Sequence, residues 1–215
     1  MRLSEEALRK TIRSYDRTAT RYAQLTSKIP LPSQRDLLME FLVAPGANLL
    51  DLGCGPGRDT RFYREQGYNV VGADLSVGML DEARRRDPGG IFAQADMRCL
   101  PFRDGYFQGV WASASFLHLP KDSAEQALNE MHRVLAPNGV VFLAVKRGEA
   151  EGWREPEAAP QRFYFAYYHS DELAAKVEQP GFEILSLSEN FSREQKHPDG
   201  SPVCWINLYA RKVSI

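Results

Sequence analysis

Leu49-Leu50-Asp51-Leu52-Gly53-Cys54-Gly55-Pro56-Gly57-Arg58-Asp59-Thr60 decides how the rest of the chain is read. Apolar, strand-compatible residues run into glycines at every second position, and a polar helix start follows. Only glycine reaches positive φ without cost and lets backbone approach a ligand closely, so a strand, a tight turn and a helix are expected here, with a nucleotide-like molecule against the turn.

Outward from this turn, short apolar strands alternate with helical patterns. Strands are expected at Asn69–Asp74, Ile91–Ala95, Phe107–Ala114 and Val140–Val145. Helices are expected at Ser76–Arg86 and at Asp122–Leu135, where Ala127, Leu128, Met131 and Val134 fall at core spacing. Such alternation implies parallel pairing with right-handed crossovers. After a last helix at Ser170–Val177, strands at Phe182–Ser188 and Val203–Lys212, joined through His197-Pro198-Asp199-Gly200-Ser201-Pro202, predict a closing β-hairpin.

Upstream, Leu8, Ile12, Tyr15, Ala19 and Tyr22 recur at helical spacing behind Ser4 as a possible cap, giving an amphipathic helix over 4–23 with a possible break near Asp16. Ser33-Gln34-Arg35-Asp36 resembles a capping box opening a second helix, with Leu37, Leu38, Phe41 and Leu42 on its apolar side and Pro45-Gly46 closing it. Residues 148–162 read as a long loop, and the aromatic segment Arg162–Tyr168 as an edge strand or core packing, or, with Trp153, as a lid over the acceptor. One domain is expected, with residues 1–45 a helical extension and 46–215 the α/β body.

Composition narrows the function. With 27 Lys and Arg against 28 Asp and Glu, the 215 residues carry a formal charge of −1, without the cationic excess that nucleic-acid binding requires. Three widely spaced cysteines, Cys54, Cys99 and Cys204, suit reduced thiols and a cytoplasmic setting. No stretch approaches the roughly 20 apolar residues of a bilayer span. The expected partner is a small molecule, with neither nucleic acid nor membrane, and the chain is expected to be a monomer or homodimer.

Spacing then separates the nucleotide ligands. Gly53, Gly55 and Gly57 give G-x-G-x-G, with Arg58 where the dinucleotide fingerprint wants its third glycine, and no phosphate-binding lysine follows. Asp74 closes the second strand 21 residues after Gly53, where a carboxylate can take both ribose hydroxyls. Asp96 closes the third and could accept from an adenine amino group beside Leu75, Met79 and Met97. Two acids, one at each strand end, favour an adenosine without a pyrophosphate.

These motifs, with Phe107–Leu119 and Glu130–Val140, make the chain from about residue 15 to residue 212 resemble the class I S-adenosylmethionine-dependent methyltransferases. The resemblance implies a Rossmann-like, doubly wound seven-stranded sheet of order 3-2-1-4-5-7-6, with strand 7 antiparallel and helices on both faces. It implies that S-adenosylmethionine lies against Gly53, Cys54, Gly55 and Gly57, that Asp51 orients its ammonium group, and that Asp74 holds the ribose. Asp96 and Met97 would meet the adenine edge, and Leu75 and Met79 would sandwich the ring. Tyr15, Tyr22, Trp111 and Ala112 complete the expected cofactor set. The implied reaction is in-line SN2 transfer of the methyl to a small molecule, leaving S-adenosylhomocysteine. A non-catalytic S-adenosylmethionine-binding protein and an NAD(P)-dependent oxidoreductase are the alternatives.

His118, after the fourth strand, is the candidate general base; a structural or cofactor-facing histidine is the other reading. His132, mid-helix, reads as structural. Trp111-Ala112-Ser113-Ala114-Ser115 stands where base and amide N-methyltransferases carry Asp/Asn-Pro-Pro-Tyr/Phe, which argues against DNA or glutamine as acceptor. No acidic cluster suits a metal. Trp153, Arg154, Arg162, Tyr164 and Tyr167 are candidate acceptor-binding residues, and Arg154, Arg162 and Lys146 could grip a carboxylate. The aromatics could equally be core, and the cations a solvated surface.

Overall fold

Four β-compatible runs buried on both faces form parallel strands around the glycine turn, as hydrophobic continuity dictates for a sheet covered by helices. The computed structural model describes residues 2–26, 32–42, 45–154, 161–196 and 200–213. Its elements are α1 (Arg2–Thr26), α2 (Pro32–Phe41), β1 (Asn48–Leu52), α3 (Arg58–Glu65), β2 (Asn69–Asp74), α4 (Val77–Arg86), β3 (Ile91–Gln94), β4 (Phe107–Ser113), α5 (Ala124–Val134), β5 (Leu135–Lys146), β6 (Glu151–Arg154), β7 (Phe163–Ala166), α6 (Ser170–Glu178), β8 (Phe182–Lys196) and β9 (Pro202–Lys212). The seven-stranded sheet runs β3-β2-β1-β4-β5-β9-β8. Pairing is parallel through β5 and antiparallel for β9. This is the expected order, with β8 and β9 as the sixth and seventh strands.

One core lies on the side of the sheet containing Leu50, Leu52, Val141 and Leu143, filled by Leu128, Met131 and Val134 of α5. The other gathers Trp111, Phe142, Tyr63 and Tyr209 with Leu38 of α2. Trp111 stacks on Phe142 with ring centres 4.1 Å apart.

Four local expectations are corrected. Helix α1 starts at Arg2, which places Ser4 inside it, and it continues unbroken through Asp16. Asp16 serves another helix, its Oδ1 accepting hydrogen bonds from Ser76 Oγ (2.6 Å) and Gly78 N (3.0 Å) at the start of α4. Helix α2 opens at Pro32, ahead of Ser33, using proline's tolerance for the first helical turn. Within the expected 148–162 loop, Glu151–Arg154 instead pairs antiparallel with Phe163–Ala166 as a separate two-stranded sheet; residues 155–160 lie outside the described ones. Strand β8 extends to Lys196, well beyond Ser188, because its far end continues to pair with β9. Of the closing hairpin's expected connection, residues 197–199 lie outside the described ones.

Candidate functional site

A cavity of about 710 Å³, counted out to its open mouth, lies at the carboxyl ends of β1, β2 and β4. Its floor is Leu52, Gly53 and Gly55, its far wall Asp74, Leu75, Met79, Ala95, Asp96 and Met97. Ser113, Ala114 and Ser115 line the β4 side, and Leu8, Thr11, Ile12, Tyr15 and Tyr22 of α1 cover it.

Glycine is required in the floor. At Gly53 φ is 76°, and an added Cβ would stand 2.2 Å from Ser115 Cβ. The turn also spends its own donors: Gly53 N and Cys54 N both donate to Ala73 O, Gly57 N donates to Cys54 O, and Gly55 N donates to Asp74 Oδ2 at 2.8 Å. Pro56 has none to give. A dinucleotide cradle needs such amides free for its pyrophosphate, and no Lys or Arg stands among the described residues of the wall. The turn therefore presents an uncharged backbone surface beside two carboxylates, which speaks against NAD(P) and suits a cationic adenosyl compound.

Asp74 is the better placed of the two acids. Its oxygens accept from Gly55 N and Ser76 N, each at 2.8 Å, leaving lone pairs over for a ligand. Burial raises its pKa, against those backbone hydrogen bonds. Asp96 is more committed: Arg98 donates to both of its oxygens through Nε at 3.1 Å and through Nη2 at 2.7 Å, and reaches on to Glu5 of α1. Despite partial burial, those donors hold the Asp96 carboxyl below its usual range.

His118 sits where β4 turns out of the sheet, in a 3-10 turn at Phe116–His118. Its Nδ1 lies 2.7 Å from the carbonyl oxygen of Tyr164, and its Nε2 lies 2.6 Å from the Tyr15 hydroxyl. A carbonyl only accepts, so Nδ1 carries the proton and the Nε2 lone pair accepts from Tyr15. Burial holds the imidazole pKa down at about 4. Burial also lifts Tyr15 well above the usual tyrosine range, so it stays a phenol. Ala114 beside them has φ 56°, a conformation rare outside glycine, at the cavity rim.

The structure brings Tyr15, Tyr22, Gly53, Gly55, Asp74, Leu75, Met79, Asp96, Met97 and His118 to this one cavity. It does not bring the remaining expected residues to the wall. Asp51 is 2% exposed beneath the turn and accepts from Thr60 Oγ1 at 2.5 Å. Cys54 is buried beside it and Gly57 packs on Phe92 and Ala83. Trp111 faces the opposite core, where its Nε1 donates to Asp59 at 3.0 Å, and Ala112 is fully buried in the first core. Strand alternation explains both positions, since residues before the strand tip point into the packed faces. Trp153, Arg154, Tyr164 and Tyr167 belong to the β6–β7 hairpin or its exit. Trp153 packs edge-on to Tyr164 at 5.7 Å, and the Arg154 guanidinium lies 5.5 Å from the Tyr167 ring centre. Arg162 takes part through its carbonyl, which accepts from Ser14 Oγ at 2.8 Å.

Sequence reasoning missed Thr11, Ser115, Asp16 and Gly78. Thr11 interrupts the apolar face of α1 one turn before Tyr15, and its Oγ1 accepts from Tyr164 N at 2.9 Å. Gly78, in the first turn of a helix, was the available sign that another backbone passes close: an added Cβ would lie 2.8 Å from Asp16 Cα. Ser115 Oγ donates to Leu52 O at 2.6 Å, tying the tips of β4 and β1 together.

Among the described residues no group of three His, Cys, Asp or Glu is placed to hold a metal, Cys54, Cys99 and Cys204 are free thiols, and no helix is long and apolar enough to cross a membrane.

Comparison with known proteins agrees with this geometry. A methyltransferase-domain family matches residues 50–143. An uncharacterised methyltransferase of Synechocystis sp. is 32% identical over 156 residues, covering 69% of this chain and 72% of its own. A malonyl-[acyl-carrier protein] O-methyltransferase of Enterobacter lignolyticus is 31% identical over 163 residues, covering 73% and 64%. The chain spans only 56 to 64% of the length of this relative and three others. The fold is shared with 1,6-didemethyltoxoflavin-N1-methyltransferase of Burkholderia thailandensis, solved with S-adenosylhomocysteine bound, at TM-score 0.75 and 20% identity over 98% of this chain and 91% of that one.

Proposed function

The chain belongs to the class I S-adenosylmethionine-dependent methyltransferases, and from that premise we propose that it methylates a small-molecule acceptor by in-line displacement in the cavity beneath α1. The supporting observation is the meeting of a donor-spent glycine turn, the half-buried Asp74 carboxyl and the Tyr15–His118 pair around one cavity.

Bound there, S-adenosylmethionine supplies an electrophilic methyl on a sulfonium. Asp74 holds the ribose, Leu75, Met79 and Met97 enclose the base beside Asp96, and Gly53 and Gly55 let the amino-acid portion approach the backbone. Asp51 and Cys54 act from below by fixing the turn. Of the expected N-terminal extension, helix α1 covers the site whereas α2 packs into the opposite core; Tyr15 and Tyr22 of α1 exclude water and offer rings to positive charge. His118, its lone pair occupied, positions the Tyr15 hydroxyl and takes no proton from the acceptor near neutral pH. The β6–β7 hairpin stands behind the cavity wall, where the Tyr164 carbonyl accepts from His118 Nδ1 and Tyr164 N donates to Thr11 Oγ1, while Trp153, Arg154 and Tyr167 stay off the wall. Free thiols and the absence, among the described residues, of a bilayer-spanning helix support a cytoplasmic enzyme.

The test is incubation with methyl-labelled S-adenosylmethionine and a metabolite extract. Label entering a low-molecular-weight product supports transfer. Label absent from every product, with S-adenosylhomocysteine still bound, would reduce the protein to a cofactor-binding one.

A further inference from the structure

Helix α1 carries six Lys and Arg against three Asp and Glu, in a chain whose formal charge is −1. Four of those cations, Arg9, Arg13, Arg17 and Arg21, recur at every fourth residue, and all four are exposed. That interval keeps them on one face of the helix. It is the face turned away from the body, since Leu8, Thr11, Ala19 and Ala23 are the buried ones. At a rise of about 1.5 Å per residue, the row runs for roughly 18 Å along the outside of the cover.

Arg61, Arg64, Arg84, Arg85, Arg86 and Arg98 each meet a carboxylate. Among the described residues, no carboxylate forms an ion pair with Arg9, Arg13, Arg17 or Arg21. The acids of α1 itself are committed elsewhere. Glu5 receives Arg98, Glu6 receives Lys10 at 2.5 Å, and Asp16 accepts from Ser76 and Gly78. Like charges one turn apart on a helix repel, so the row costs α1 stability until an anion lies against it.

We propose that this face of α1 is a docking surface for another protein, which lays an acidic helix along it with carboxylates repeating at the same four-residue interval. The fit is one of charge and of spacing. A second helix repeats its side chains with the same rise, and guanidinium forks match carboxylates. A membrane fits less well, because the apolar face of α1 is already packed on the body and none is left to insert. Nucleic acid fits less well too: the row is a single file, Lys10 beside it is neutralised by Glu6, and the chain has no cationic excess. The partner sits on the cover of the cavity without entering it, so its binding is separate from the chemistry below.

The test titrates the full chain into two fluorescent synthetic helices of equal composition at about 0.15 M salt. One carries its glutamates at every fourth position, and the other spreads the same glutamates around the helix. The aligned helix should bind wild type and be released as salt is raised, and the spread one should bind about tenfold more weakly or worse. R13E/R17E, which alters exposed side chains alone, should lose about tenfold or more of its affinity for the aligned helix and gain affinity for the same helix made with lysines. No binding of the aligned helix, equal binding of the two helices, or undiminished binding by a folded R13E/R17E would overturn the proposal. Tighter binding of duplex DNA or of phosphatidylglycerol vesicles would overturn it as well, by giving the row to another polyanion. Should R13E/R17E fail to fold, the two helices compared on wild type still decide.

Discussion

Asp51 and Asp59 share one buried patch and carry opposite protonation. Asp59 is surrounded by Arg35, Arg58 and the Trp111 indole N–H, which hold its carboxyl below the usual range despite burial. Asp51 meets the hydroxyl and the backbone N–H of Thr60, and burial, helped by the charge of Asp59, pushes it up to about 8 against them. A carboxyl protonated in the fold and ionised when unfolded makes stability fall as pH rises between roughly 4 and 8. His118, held down at about 4, has the opposite sign, its contribution being lost as pH falls from about 6.5, so the window from 6.5 to 8 isolates Asp51. Urea unfolding should show wild type losing about 1–2 kcal/mol across that window and D51N losing much less; equal slopes would mean that Asp51 is ionised. For His118, long-range nitrogen NMR should find the proton on Nδ1 and a titration midpoint near 4. A midpoint near the ordinary histidine value would free the lone pair for base work.

Helix α1 is held to the body by side chains that cap other elements. Asp16 caps α4, Thr20 donates to Glu82, Glu5 receives Arg98, and Thr11 and Ser14 bond the backbone of residues 164 and 162. The edge of β7 is thereby tied to both α1 and His118, which links cover, hairpin and cavity rim. D16A should cost about 1 kcal/mol of capping at α4 and speed hydrogen exchange in the 2–26 peptide roughly fivefold. Unchanged exchange would mean that α1 is held by its apolar face alone. This tie was hidden in the sequence for a physical reason. Hydrophobic period placed Leu8, Ile12, Tyr15 and Tyr22 on one face correctly, but Asp16 looked like an interruption because its partner is 60 residues away. The β6–β7 hairpin was hidden because Glu151-Gly152-Trp153-Arg154 pairs outside the main sheet and lacks a strand's alternation.

Across the whole molecule, the strands and the terminal hairpin were legible because each strand was an apolar run with a helix or turn signal behind it, and the order of the sheet followed from the resemblance. The cofactor half of the site was legible for a related reason: Gly53, Asp74 and Met97 sit at strand ends, where chain direction places every tip on one rim. Trp111 and Ala112 were assigned to the rim although they lie one layer below it, since residue type alone does not tell tip from core. The acceptor half was least legible, because none of Trp153, Arg154, Arg162, Tyr164 and Tyr167 lines the cavity. All of it depends on the cavity holding a positively charged adenosyl donor rather than a dinucleotide. The most direct measurement is calorimetric titration of wild type and D74A with S-adenosylhomocysteine and with NAD. Wild type should bind S-adenosylhomocysteine, D74A should bind it more weakly by about 1.5–3 kcal/mol through lost charged hydrogen bonds, and neither should bind NAD. Absence of S-adenosylhomocysteine binding, or NAD binding as tightly, would contradict that reading of the cavity.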